Sequence, residues 1–116
     1  MELTIVLLAD TESHADAGRM AGALETAREA VENGAEVEVI LDGAGTRWIG
    51  ELAEPRHKYH KLYRRLLPYM QVCDYCARAF GVLDQVEAAG VGRLSEHRGH
   101  PSLFARLRRG VAVLTF

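Results

Sequence analysis

Leu3-Thr4-Ile5-Val6-Leu7-Leu8 (LTIVLL) is an almost unbroken apolar run near the start of the chain. A half-exposed strand would alternate apolar with polar, and an amphipathic helix would show a polar face every third or fourth residue. A continuous run of this length instead fits a strand covered on both faces, as in a parallel sheet. A parallel sheet needs a crossover after each strand, and the sequence supplies one. Ser13 is a candidate N-cap with Asp16 three residues on. Met20, Leu24, Ala27 and Val31 then share one helical face, opposite Glu25, Arg28, Glu29 and Glu32. Asn33-Gly34 ends that helix, and Glu36–Leu41 alternates acid and aliphatic as a second strand.

The alternation continues. Asp42-Gly43-Ala44-Gly45 reads as a turn without the Gly-Lys-Ser/Thr of a phosphate-binding loop. Pro55 suits the first turn of a helix whose buried stripe is Tyr59, Leu62, Tyr63 and Leu66. Pro68 closes it, Tyr69–Val72 forms a third strand, and Tyr75–Phe80 is helical. Gly81 and Gly90 are helix stops, and Val91–Leu94 is a short fourth strand. Pro101 starts a last helix carrying Leu103, Phe104 and Leu107, stopped by Gly110 before the strand Val111–Thr115. Strand–helix alternation of this kind predicts a three-layer α/β/α fold with a mostly parallel five-stranded sheet, in one domain over residues 1–116.

The longest wholly apolar run, Ile5–Ala9, is too short to span a bilayer. The N-terminus enters the first strand without a basic segment, so a cytoplasmic protein with reduced thiols is expected, with no membrane partner. The net charge is only −2, but it is unevenly spread. Residues 1–54 hold twelve acids against three arginines, and residues 55–116 hold four acids against eleven lysines and arginines. That split admits a solvated surface or complementary self-association. The basic, aromatic segment RHKYHKLYRR hints at nucleic acid, but its tyrosines fall at core spacing, which argues against such a partner.

In parallel sheets of this type, sites form beyond the carboxyl ends of the strands. The residues there are Asp10, Asp42, Cys73 with Cys76, and Ser95-Glu96-His97. Cys73 falls in a strand-to-helix turn, where unpaired N–H groups and the dipole are expected to stabilise a thiolate and lower its pKa, with Arg78 adding to this. Cys76, one turn on, is placed to attack a mixed disulfide or persulfide on Cys73. His97 or His100 is a candidate proton carrier, and Asp42 a candidate orienting acid. A zinc site is the alternative: His57, His60, Cys73 and Cys76 supply four ligands in two clipped pairs. Otherwise no cofactor is expected.

Cys73, followed eight residues later by Gly81-Val82 after a third strand, resembles the DsrE/DsrF-like family, which includes the YchN-like proteins. The apolar first strand, the Asn33-Gly34 stop and the closing VAVLTF are also similar to it. The resemblance implies a flavodoxin-like fold, homo-oligomers such as trimers or hexamers, and for some members persulfide transfer between sulfur donor and acceptor proteins. The family's cysteine maps to Cys73, with Cys76 matched only in the subset carrying CxxC. Most relay members have an arginine before the glycine, where this chain has Phe80.

The expectation is therefore a sulfane-sulfur carrier acting through Cys73, or else a non-catalytic oligomeric binding or regulatory subunit. Trp48 and Ile49, in the segment after the second strand, are expected to anchor a subunit interface, as is the apolar end at Phe116.

Overall fold

The computed structural model describes residues 1–116. Five strands form one wholly parallel sheet: β1 (Glu2–Leu7), β2 (Glu36–Leu41), β3 (Met70–Cys73), β4 (Gly92–Leu94) and β5 (Ala112–Thr115). Their spatial order is β4-β3-β2-β1-β5. The crossovers are α1 (His14–Glu32), α2 (Trp48–Glu51), α3 (His60–Leu66), α4 (Asp74–Ala79), α5 (Leu83–Ala89) and α6 (Leu103–Arg108). From β1 to β4 the chain steps steadily one way, so same-handed crossovers stack α1 through α5 on one face. The step back to β5 reverses direction and carries α6 to the other face. The fold is a three-layer, flavodoxin-like α/β/α sandwich with very unequal outer layers.

The thick face holds the core. Leu3, Ile5 and Leu7 of β1, Val39 and Leu41 of β2, and Met70 and Val72 of β3 point into it. They meet Met20, Ala23, Leu24 and Ala27 of α1, together with Leu62, Tyr63 and Leu66 of α3. The helix-period stripes read from the sequence are the residues that bury here. Ser13 caps α1 by accepting from the Asp16 amide at 3.1 Å.

The segment after β2 departs from expectation. Instead of a loop, Gly43–Arg47 is a 3-10 turn running directly into α2. Trp48 and Ile49 lie in the protein's own core, 3% and 0% exposed, and the Trp48 indole N–H donates to the Ala9 carbonyl at 2.9 Å. They are therefore not available to anchor a subunit interface. Gly45 makes this docking possible, because any side chain there would run into the Leu7 carbonyl. Pro55 does not begin a helix: turns occupy the segment before His60, where α3 starts.

On the thin face, Thr4 and Val6 of β1, Glu38 and Ile40 of β2, and Gln71 and Cys73 of β3 point toward α6 by strand alternation. The sequence placed three apolar residues on α6, but Phe104 and Leu107 are 69% and 55% exposed, and Arg106 is the buried one. Its guanidinium grips Glu38 bidentately, Nε–Oε1 at 2.6 Å and Nη2–Oε2 at 2.8 Å, and reaches Glu96 Oε1 at 2.7 Å. Thr4 Oγ1 donates to the same Glu38 at 3.0 Å. A buried charge is tolerable only when paired and hydrogen-bonded on every side, and this one is. No helix is long and apolar enough to cross a membrane.

Candidate functional site

The carboxyl ends of β2 and β3 meet the segment leading into α6, and this junction gathers the chemistry. Asp42 continues the thin-face row of Glu38 and Ile40, and its carboxylate accepts from the Gly43 amide at 2.8 Å. Cys73 ends β3 and is the N-cap of α4; its Sγ accepts from the Cys76 amide at 3.4 Å. Cys76 lies one turn along α4 and is half-buried.

The fourth member arrives from far along the chain. His97 and His100 exchange backbone bonds, N to O at 2.8 Å in both directions, closing a two-residue turn over Arg98 and Gly99. Both turn residues have positive φ, 51° and 85°, as a tight hairpin of this hand requires. Arg98 adopts a conformation that favours glycine or asparagine, so local strain is accepted there to bring the chain back. The result places His100 Nδ1 3.3 Å from Cys73 Sγ, with the Gly99 carbonyl 3.9 Å from the same sulfur. The Tyr75 ring stacks on His100 at 4.6 Å between centroids, and the Tyr75 amide donates to Gly99 O at 2.9 Å. One ligand atom each from Asp42, Cys73, Cys76 and His100 lies within 4.8 Å of all the others.

The electrostatics oppose the expected thiolate. Burial pushes the Cys73 thiol up to about 12, and the nearby Asp42 carboxylate and Cys76 sulfur push the same way. The Cys76 amide works against them but does not prevail. A single amide at the start of a six-residue helix is too little to offset the loss of water around a sulfur with no exposed surface.

Of the residues expected at this edge, Asp42, Cys73, Cys76 and His100 come together. His97 does not join them: it is exposed and serves through its backbone. Asp10 stands apart, paired with Arg47 at 3.0 Å, and the Thr11 amide bond at 2.7 Å and Arg47 hold its carboxyl below the usual range. The zinc set with His57 and His60 is not assembled. His57 Nδ1 accepts from the Tyr59 amide, and His60 Nδ1 lies 2.7 Å from the Leu52 carbonyl, beside the thick-face core. His60 begins α3, and His57 lies in the turns before it, both in the other layer of the sandwich. Tyr75 and Gly99 were not foreseen, since their roles depend on a contact across the sheet edge.

No protein-family model matches the chain. It is 29% identical over 91 residues to MJ0733, an uncharacterised protein of Methanocaldococcus jannaschii, an alignment covering 76% of this chain and 72% of that one. Its structure is similar to that of BT1422, a conserved protein of unknown function from Bacteroides thetaiotaomicron, with a TM-score of 0.62. That match covers 97% of this chain and 94% of the other at 17% identity, and it speaks to the fold alone.

Proposed function

We propose that this protein is a cytoplasmic, DsrE-like sulfur carrier that accepts sulfane sulfur on Cys73. The observation carrying the reading is the 3.3 Å approach of His100 Nδ1 to Cys73 Sγ. A thiol held protonated by burial needs a base in contact with it, and an imidazole is the side chain suited to that task near neutral pH. With Nδ1 unprotonated, His100 takes the Cys73 proton as the sulfur attacks the outer sulfur of a donor persulfide. A Cys73 persulfide forms, and the donor leaves as a thiolate that recovers the proton from His100.

Two exits follow. An acceptor thiolate can take the outer sulfur, leaving Cys73 as it began. Alternatively, Cys76 attacks the inner sulfur, forming a Cys73–Cys76 disulfide and releasing hydrosulfide. Cys73 has no exposed surface, so the donor's access needs a local opening beside the sulfur that keeps His100 in contact with it. The DsrE/DsrF-like resemblance supports the reading through the position of Cys73 at the end of β3. Self-association through the exposed Phe104 and Leu107 of α6 belongs to the same proposal. Incubation with a persulfide donor followed by mass spectrometry is expected to add about 32 Da, one sulfur atom, to Cys73. Equal loading of a Cys73→Ser variant would sink the reading. Sedimentation at micromolar concentration tests the assembly, which a single species at the 12.8 kDa chain mass removes.

A further inference from the structure

We propose that Asp42, Cys73, Cys76 and His100 form a tetrahedral site for a divalent transition-metal ion, and that zinc is the ion it fits best. The set offers two thiolates, one imidazole and one carboxylate, all within 4.8 Å of one another. Zinc bonds of about 2.3 Å to sulfur and about 2.0–2.1 Å to nitrogen imply tetrahedral edges of about 3.6 Å from sulfur to nitrogen and about 3.8 Å between sulfurs. The Cys73–His100 separation of 3.3 Å already lies at that scale. The remaining pairs, all within 4.8 Å, need contractions of at most about 1.5 Å, which side-chain rotations supply.

Three features make this more than a chance cluster. Its ligands come from three separate segments held by independent hydrogen bonds: the Asp42 turn, the β3–α4 junction and the His97–His100 hairpin. Arg98 accepts a positive φ of 51° to close that hairpin, and its consequence is to deliver His100. The Cys76 amide points at Cys73 Sγ, an N–H placed to support a metal-bound thiolate, and Tyr75 stacks on the imidazole to fix its plane. Two sulfurs and an imidazole favour zinc over magnesium or calcium, which take oxygen ligands. With four protein ligands the coordination is closed, so the ion would clip β2, β3 and the approach to α6 together.

This site stands without the sulfur reading, and it adds a control to it: metal-bound Cys73 is closed to sulfur. The probe is cobalt(II), titrated into metal-free, reduced full-length protein. The expected result is one equivalent bound, with the intense visible bands of tetrahedral cobalt and a thiolate-to-metal charge-transfer band, both removed by one equivalent of zinc. Asp42→Asn and His100→Ala should each weaken binding by about tenfold or more, and Cys76→Ser should lower the charge-transfer intensity. A His57→Ala/His60→Ala variant should bind as the parent does. Absence of a tetrahedral spectrum, or undiminished binding in His100→Ala, overturns the proposal. If Asp42→Asn fails to fold, His100→Ala, on a surface turn, decides alone. Persulfide loading of the metal-free parent protein, measured beside cobalt binding, separates the two readings. A metal-free protein that binds cobalt yet takes no sulfur on Cys73 keeps the site and loses the carrier.

Discussion

The two faces of the sheet are built on different physics. The thick face is apolar throughout, with 21 buried residues in one cluster contributed by strands and by α1 through α5. The thin face has one short helix, and beside the buried Val6 and Ile40 it gathers polar groups: Thr4, Glu38, Arg106 and Glu96 in a charged network, then the Asp42–Cys73–Cys76–His100 group. It also holds Gln71 Oε1, the one buried side-chain oxygen or nitrogen without a hydrogen-bond partner. Apolar burial is non-directional and tolerates no unpaired charge, so it organises the fold but offers no chemistry. Polar groups under a thin cover keep their reactivity and remain close to solvent. The apolar core and the candidate site thereby lie on opposite sides of the same strands.

If that division is right, the largest loss should come from the thick face and leave the site alone. Leu24→Ala, at a fully buried position on α1, is expected to cost about 3–4 kcal/mol in urea unfolding while cobalt binding and sulfur loading stay at parent levels. A loss of either would break the comparison. Next is Arg106→Met, expected to cost about 3 kcal/mol because it leaves Glu38 without its bidentate partner. It should also loosen the approach to the site, since Glu96 and Ser102 are both held by the same guanidinium. A cost below about 1 kcal/mol would mean that solvent already carries these carboxylates.

A smaller effect sharpens the comparison through pH. The unfolded chain gives up the Cys73 proton near the free-thiol pKa, about 8.5, whereas the folded chain holds it to about 12. Above the lower value the unfolded state therefore binds fewer protons, and stability falls as pH rises through this window. For metal-free protein the loss is expected to be about 2 kcal/mol by pH 10, read from urea midpoints at pH 7.5 and 10. Cys73→Ser should show a flatter dependence; an identical slope would place the titration elsewhere. The smallest effect belongs to the outer surface of α6. Phe104→Ser should change stability by less than about 0.5 kcal/mol and, if α6 is the self-association surface, shift sedimentation toward monomer.

How far the sequence could be read follows the same division. The β1 run, the stripe of α1, the Gly81 and Gly90 stops and the strand order of events along the chain were legible because they depend on period and on local backbone preference. The placement of Asp42, Cys73 and Cys76 at strand ends was legible for the same reason. The choice among histidines was not. His57 and His60 were spaced for a metal, yet α3 and the turn before it hold them in the other layer. His100 reaches Cys73 only through the hairpin over Arg98 and Gly99.

Local pattern by itself determined that this chain is a parallel α/β protein with its cysteines at the carboxyl edge of the sheet. Tertiary structure decided everything that depends on which side of the sheet an element crosses. It turned Trp48 inward onto the Ala9 carbonyl, because Gly45 lets the backbone close on Leu7. It buried Arg106 and exposed Phe104, because Glu38 and Glu96 lie where the guanidinium can pair with both. It raised the Cys73 pKa where the helix terminus alone suggested a fall, because desolvation acts on the whole sulfur and one amide acts on a single lone pair. Period and propensity are properties of neighbours along the chain. Burial, pairing and proton affinity are set by neighbours in space.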